Sequence, residues 1–403
     1  MTLIFTLSLG LLLRMSLAPS PGYEFDVAVN QKWSKSAVEF GLGPSYTQQI
    51  EDNMLPNYPP LSMMVFAATG WLYRETASPE FDIAAPDYDL WIKFPAILAD
   101  LLTAVALFLM LRKQGRWLGV LAASIYVLHP TVFYNSAVWG QNDALYTLPL
   151  LLGLWAFSAK RMVVAGALLA AAILTKFQAI AAFPILLPVL LRPREALRML
   201  IGASALAVIV ITPFVWTGTF GDVVKVYTSS VGFYPQVSFG AYNFWWGLLG
   251  DAAWGSDDRT ILFHLMSFRT VGLLLFTSAL GWIVTAPRTL RKQIPLTDVL
   301  WGAALLCFAF FLFPTQIHER YLFPWFALAL PIALKRRALL LPYVMVSSCG
   351  FLNLLGVLPW MTWDIELFRA FPTIDVAMAT TMVILWVLIT NEYSKKLSRS
   401  STQ

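Results

Sequence analysis

Two acids stand directly behind the first apolar stretch of this chain, in Gly22-Tyr23-Glu24-Phe25-Asp26. A carboxylate fixed within a few residues of a helix end can take a proton from a hydroxyl as a general base. Ordinary solvated acids at a helix exit leave the same trace, so both readings stand for Glu24 and Asp26. Far downstream, His318-Glu319-Arg320-Tyr321 opens another apolar stretch, after Phe313-Pro314-Thr315-Gln316. Arg320 and His318 at a membrane interface suit a phosphate, Arg through its planar fork of donors, and Glu319 can orient either neighbour. Snorkelling of Arg320 and an interfacial place for Tyr321 account for the same residues without chemistry. Lys176, in Leu174-Thr175-Lys176-Phe177-Gln178, is a further cation expected on the same side. Two cations around an apolar-walled outer cavity suit a lipid phosphate or pyrophosphate.

Two other segments join flat rings to amides: Trp139-Gly140-Gln141-Asn142-Asp143 and Tyr242-Asn243-Phe244-Trp245-Trp246. Rings stack on sugar faces, and amides and carboxylates match hydroxyls as donors and acceptors. Membrane interfaces are also rich in Trp and Tyr, and Asp143 is a favourable residue to open a helix. His129 and His264 read as structural.

These residues need elements that hold them, and the composition says what those are. The chain has 403 residues, 58% hydrophobic and only 13% charged, with mean hydropathy +0.66. A soluble domain is nearer half apolar and a quarter charged. Apolar runs near the length of a membrane span recur throughout. We read spans at 3–20, 91–111, 117–134, 143–159, 162–175, 178–191, 198–216, 260–285, 297–313, 320–334, 338–358 and 372–390. That is an all-α polytopic membrane protein of about twelve transmembrane helices.

Basic clusters punctuate the spans at Arg112–Arg116, Lys160-Arg161, Arg192–Arg198, Arg288–Lys292, Lys335–Arg337 and Lys395–Arg399. Lys and Arg in short loops mark the cytoplasmic face, so the segments carrying Asp26, Asp143, Lys176 and Arg320 fall outside. Segment 60–74, opened by Tyr58-Pro59-Pro60, breaks the parity and reads as a re-entrant or juxtamembrane helix, with proline favoured in a first helical turn. Long outer loops run over 21–90 and 217–259 of what reads as one transmembrane domain. Arg14 interrupts the first span and is expected to snorkel to the outer headgroups. The net charge of +5 lies at span ends, where lipid headgroups account for it, and does not call for nucleic acid. Cys307 and Cys349 sit inside apolar runs as small buried hydrophobes. No Cys/His spacing suggests a metal site. No glycosylation sequon occurs, which leans towards a bacterial inner membrane.

In order along the chain, the motifs are Gly22 to Asp26 with Trp33, Tyr58-Pro59-Pro60, and Phe94 to Leu101. Then follow Asn135 to Asp143, Leu174 to Ala179, Tyr242 to Trp245, and His318 to Pro324. The set resembles the GT-C superfamily of integral membrane glycosyltransferases, and within it the bacterial mannosyltransferases related to GPI mannosyltransferase II. Phe177 departs from the pattern, where that family has proline. The resemblance implies a GT-C-like bundle and a sugar, mannose or another hexose or pentose, moved with inversion from a polyprenyl-phosphate donor. The acceptor is a glycan, glycolipid or protein at the outer leaflet or in the periplasm. It assigns the base to Asp26 and the second-loop acid to Asp143. With Lys176, His318 and Arg320 on the donor phosphate, Glu24, Tyr58, Trp139, Gln141, Asn142, Tyr242, Asn243 and Glu319 are left to bind sugar or acceptor. No cofactor beyond the lipid-linked donor is implied, and the chemistry requires no metal. The rival classes are a transporter or flippase of lipid-linked sugars, and a non-catalytic assembly subunit. Transporters place substrate groups near the midplane, whereas these motifs gather at outer span ends.

Overall fold

A computed structural model describes residues 2–50, 54–262, 264–285, 295–368, 371 and 373–399. The basic run Arg288–Lys292 lies outside the described residues. The chain divides into two compact units: Met1–Phe157, Arg161–Ala179 and Leu197–Ser230 form the first, and Ser158–Lys160, Ile180–Ala196 and Val231–Gln403 the second.

The first unit contains α1 (Thr2–Leu17), α2 (Glu24–Glu39), α3 (Pro60–Thr76), α4 (Tyr88–Leu111), α5 (Arg116–Val127), α6 (Pro130–Phe133), α7 (Asp143–Ser158), α8 (Met162–Thr175), most of α9 (Pro193–Trp216), and α10 (Phe220–Thr228). Helices α1, α4 and α5 pack together, and α3 lies against α2, α4 and α8. The outer segment expected over 21–90 thus carries two substantial helices, α2 and α3, with Pro60 opening α3 at its first position.

The expected span at 117–134 is broken. Pro130 cannot continue a helix and pushes the residue before it out of helical conformation. His129 is accordingly extended, and the chain bends by 48° before resuming. It resumes as α6 and then as a wide π-helical turn over Tyr134–Trp139, closed by Gly140 at φ +87°.

Arg14 does not snorkel. Its side chain is wholly buried and its Nε donates to Asp100 Oδ2 on α4 at 3.1 Å. Its Nη1 donates to the carbonyls of Val127 at 2.6 Å and Gly10 at 3.2 Å. The break after α5 supplies the Val127 carbonyl, an acceptor with no helical partner of its own. Ser136 Oγ completes the group, donating to Asp100 Oδ2 at 2.6 Å. A lone buried cation is costly and a paired one less so. Arg14→Leu should therefore destabilise the first unit by about 3–5 kcal/mol, and Arg14→Leu/Asp100→Leu by less. Thermal unfolding in detergent checks this; equal losses in the two variants would show that the pair is not coupled.

The second unit holds β1 (Ser238–Phe239), α11 (Phe244–Leu249), α12 (Ala252–Gly255), β2 (Ile261–Leu262), β3 (Met266–Ser267), α13 (Phe268–Val284), α14 (Leu296–Leu312), β4 (Ile317–His318), α15 (Phe323–Lys335), α16 (Leu340–Trp363) and α17 (Ile374–Arg399). Its core is α14, whose residues from Asp298 to Ala309 are all buried, packed by α13, α15 and α17. Two departures from an all-helical chain occur here. β1 and β4 pair in parallel, and β2 and β3 form a small hairpin. The span expected at 260–285 therefore becomes helical only at Phe268, where Ser267 caps α13 by accepting from the Thr270 N–H at 3.2 Å. Strands of two residues leave no alternation to read.

The architecture is predominantly α-helical, with apolar helical segments over every interval expected as a span. Among the described residues four helices are long and apolar enough to cross a membrane, α4, α9, the stretch Arg337–Trp363 and α17; the bent pair from Arg116 to Trp139 makes a fifth if it is one span. The other apolar helices are shorter, 10–17 residues. Val208 and Ile209 on α9 are 65% and 69% exposed. A long apolar helix bared in this way suits a lipid surround rather than water.

Candidate functional site

The acids behind the first span sit in the first turn of α2, where Glu24 is exposed and Asp26 half-buried. A helix start favours negative charge. The turn before them is stitched to the 134–140 segment. Gly22 has φ +67°, and a Cβ there would lie 2.5 Å from the Trp139 carbonyl oxygen, so glycine is required. The Tyr23 N–H donates to that carbonyl at 3.2 Å. Lys93, buried on α4, donates to the carbonyls of Ala18, at 3.0 Å, and Ser20. Gly140, also left-handed, lets the 139–141 turn approach Lys93 and Val27 closely.

This stitching brings Asp26 against Gln141, whose Nε2 donates to Asp26 Oδ2. Gln141 in turn has its N–H on the Asn135 carbonyl at 2.9 Å. Two residues on, Asp143 is fully buried and accepts from Lys176 Nζ at 2.6 Å and from Asn135 Nδ2 at 3.2 Å. The Lys176 ammonium also lies 5.4 Å from the Tyr58 ring centre and 5.9 Å from that of Tyr146. Tyr58 is placed by its carbonyl, which accepts from Tyr46 OH at 2.7 Å, and by its ring edge on Trp33. The first unit thus gathers Asp26, Tyr58, Gln141, Asn142, Asp143 and Lys176 from four separate stretches of chain. Around them Trp139 Nε1, Asn135 Oδ1, Gln141 Oε1 and both polar atoms of the Asn142 amide are buried with no hydrogen-bond partner among the described residues. Buried polar atoms are nearly always satisfied, so this cluster points to water or a ligand's hydroxyls as the missing partners.

Two residues expected at the site are engaged within the fold. Lys176 neutralises Asp143, because two opposite charges buried this deeply must pair. Trp139 offers no ring face to a sugar. It is 0% exposed and belongs to the packing between the stitched turns.

In the second unit His318 and Glu319 are buried and Arg320 is nearly so. Arg320 Nη1 donates to Glu319 Oε1 at 2.5 Å, and His318 Nδ1 lies 4.0 Å from Glu319 Oε2. The His318 ring is walled by Phe239, Tyr234 and Tyr321. Glu319 thus holds the Arg320 guanidinium. Tyr242 and Asn243, expected to bind sugar or acceptor, are both engaged within the fold. Asn243 is fully buried and its side-chain oxygen accepts from the N–H groups of Trp245 and Trp246, both at 3.1 Å, capping α11. Asn is a preferred cap for this reason. Tyr242 is buried against Trp246, and its N–H donates to Asn353 Oδ1 at 3.0 Å.

Sequence reasoning gave Asn135 no role of its own and missed Tyr146, Asn353 and, above all, Asp258, which organises the approach to His318. Among the described residues no cluster of three or more His, Cys, Asp or Glu side chains is placed to hold a metal. No protein-family model matches the chain, and no curated protein matches it.

Proposed function

We propose that the chain is an inverting membrane glycosyltransferase of the GT-C kind, using a polyprenyl-phosphate sugar as donor. One observation carries this reading: a half-buried carboxylate, Asp26, held by an amide whose neighbours are buried polar groups lacking partners. That combination supplies a base and a set of vacant hydrogen-bonding atoms for hydroxyls.

In the reaction Asp26 takes the proton of an acceptor hydroxyl. The oxygen attacks the anomeric carbon from the face opposite the lipid phosphate and a new glycosidic bond forms. The carbon–oxygen bond to the phosphate breaks, and the polyprenyl phosphate leaves with the electron pair. Gln141 orients Asp26, and Asn142 meets sugar hydroxyls. The Asp143–Lys176 pair fixes the loop that carries both amides. Arg320 and His318 are assigned the donor phosphate, whose growing charge a guanidinium stabilises. The sugar is mannose or another hexose or pentose, and the acceptor a glycan, glycolipid or protein.

The same proposal takes the apolar segments as about twelve crossings of a bacterial inner membrane, with the basic clusters inside and the chemistry on the periplasmic side. One of the two shortest intervals, 178–191, supports it in an unexpected way. Residues Phe177–Leu191 form a 3₁₀-helix of 15 residues, with Pro184 and Pro188 disfavouring α-helix. At about 2.0 Å per residue such a helix reaches roughly 30 Å, the thickness of the hydrocarbon core, where an α-helix of that length would fall short.

The test is to incubate the purified protein in vesicles with labelled polyprenyl-phosphate sugars and mixed acceptors. A new glycosidic product supports the reading. Transbilayer movement of the donor with no new bond would overturn it in favour of a flippase. Arg320→Ala should weaken donor binding by about tenfold to a hundredfold, the usual worth of a charge-assisted hydrogen bond. Unchanged donor affinity would remove Arg320 from the phosphate.

A further inference from the structure

Asp258 is completely buried, and its carboxylate accepts four hydrogen bonds. Its Oδ1 accepts from Arg269 Nη2 at 2.8 Å. Its Oδ2 accepts from Arg269 Nε at 3.0 Å, Thr315 Oγ1 at 2.7 Å and Gln316 Nε2 at 2.7 Å. Its main chain is engaged as well: the Asp258 N–H donates to the Pro235 carbonyl at 2.7 Å, and the Asp258 carbonyl accepts from the Arg269 N–H at 2.9 Å. Through its side chain and main chain together, one residue thus ties the start of α13 and Pro235 to the two residues that precede Ile317-His318.

What it ties down is an unusual backbone. Gln316 has φ +65°, a left-handed conformation that a residue with a Cβ adopts only when its surroundings impose it. Three contacts impose it: the Gln316 N–H donates to the Gln236 carbonyl at 3.1 Å, the Gly232 N–H donates to Gln316 Oε1 at 2.7 Å, and Gln316 Nε2 reaches Asp258. From that turn the chain enters the parallel pairing Ser238–Ile317 and Phe239–His318, and Glu319 and Arg320 follow. The neighbouring charge pair does not compete, since Arg259 is held in solvent by Asp257.

We propose that Asp258 is a positioning residue for His318 and Arg320, acting through Thr315 and Gln316 to fix the turn from which they project. This rests on the reading of Arg320 and His318 as donor-phosphate ligands. A carboxylate suits the task because its two oxygens hold a guanidinium and still accept the hydroxyl and the amide, and charge-assisted bonds of this kind are the strong ones.

The experiment compares the purified full chain with Asp258→Asn and with Thr315→Val/Gln316→Met. The double variant keeps the Arg269 ion pair and cuts both bonds from the turn to Asp258, together with the Gly232 N–H bond to Gln316 Oε1, which Asp258→Asn leaves in place. Amide hydrogen exchange across 314–321 should rise about tenfold or more in both variants, the loss expected of hydrogen bonds to a charged group, while exchange in α14–α16 is unchanged in the double variant. In the transfer assay the KM for the donor should rise by about tenfold and the KM for the acceptor should not move. A merely structural role lowers the active fraction, and so kcat, and leaves the donor KM where it was. Wild-type exchange and wild-type donor KM in the double variant would overturn the proposal. If the wild-type protein transfers no sugar from any donor, the functional reading fails, and the exchange measurement alone decides whether Asp258 sets the turn.

Discussion

Asp26→Asn should lower turnover by about 10²–10⁴-fold, the range that a positioned general base contributes, with little change in donor KM. The substitution keeps the shape of the side chain and its ability to accept from Gln141 Nε2, the contact that holds it. It removes only the capacity to take a proton. The first turn of α2 loses one favourable charge–dipole interaction, a small term for a half-buried group with Glu24 still beside it. Folding and donor capture are therefore expected to survive while the chemical step fails. Initial rates with labelled donor, set against thermal unfolding of the same preparation, make the comparison. A variant with near-normal turnover would take the base away from Asp26; a variant that fails in both measurements would mark the residue as structural.

How far residue types could reveal this arrangement depends on how far apart the interacting groups lie in the chain. The helical intervals were legible because each carries its own apolar run; the break at His129-Pro130 was not, because the apolar run over 117–134 continues across the proline that interrupts the helix. The pairing of Arg14 with Asp100 was not legible, since the residues are 86 positions apart and Arg14 alone reads as an interfacial cation. Asp143 and Lys176 could each be singled out, but their 2.6 Å contact depends on how α7 and α8 pack. Trp139 shows the limit of aromatic signals: a ring for a sugar and a ring for the core have the same letters around them. Asn243 was readable in principle, because Asn before a short apolar helix is a cap by local geometry alone. Asp258 was hidden by its flanks. In sequence it stands beside Asp257 and Arg259, an exposed pair, while its own partners lie 11, 57 and 58 residues away.

Lys176→Met is the second substitution with a large expected effect, and it distinguishes the role inferred from sequence from the one the geometry supports. As a ligand of the donor phosphate, Lys176 would be dispensable for folding, and its loss would weaken donor binding alone. As the partner of Asp143 it is part of the fold. Both side chains are almost wholly buried, with 4% and 0% of their surface exposed, and Asn135 gives the acid one hydrogen bond at 3.2 Å. Removing the ammonium leaves a carboxylate in a low-dielectric interior, and breaking a buried pair from one side costs about 3–5 kcal/mol. Lys176→Met should accordingly lower the unfolding midpoint in detergent and abolish transfer, since the loop carrying Gln141 and Asn142 ends at Asp143. Adding Asp143→Asn removes the stranded charge. Lys176→Met/Asp143→Asn should recover much of the lost stability, giving a coupling energy of the sort that contacting residues show. Transfer should stay low, because a neutral pair no longer fixes the loop with charge-assisted bonds. Stability and activity then part company in the double variant, an outcome that a phosphate ligand does not produce. A Lys176→Met protein that melts like the wild type but binds donor weakly would return the residue to the donor phosphate and leave the placement of Gln141 and Asn142 to the backbone turns around Gly22 and Gly140.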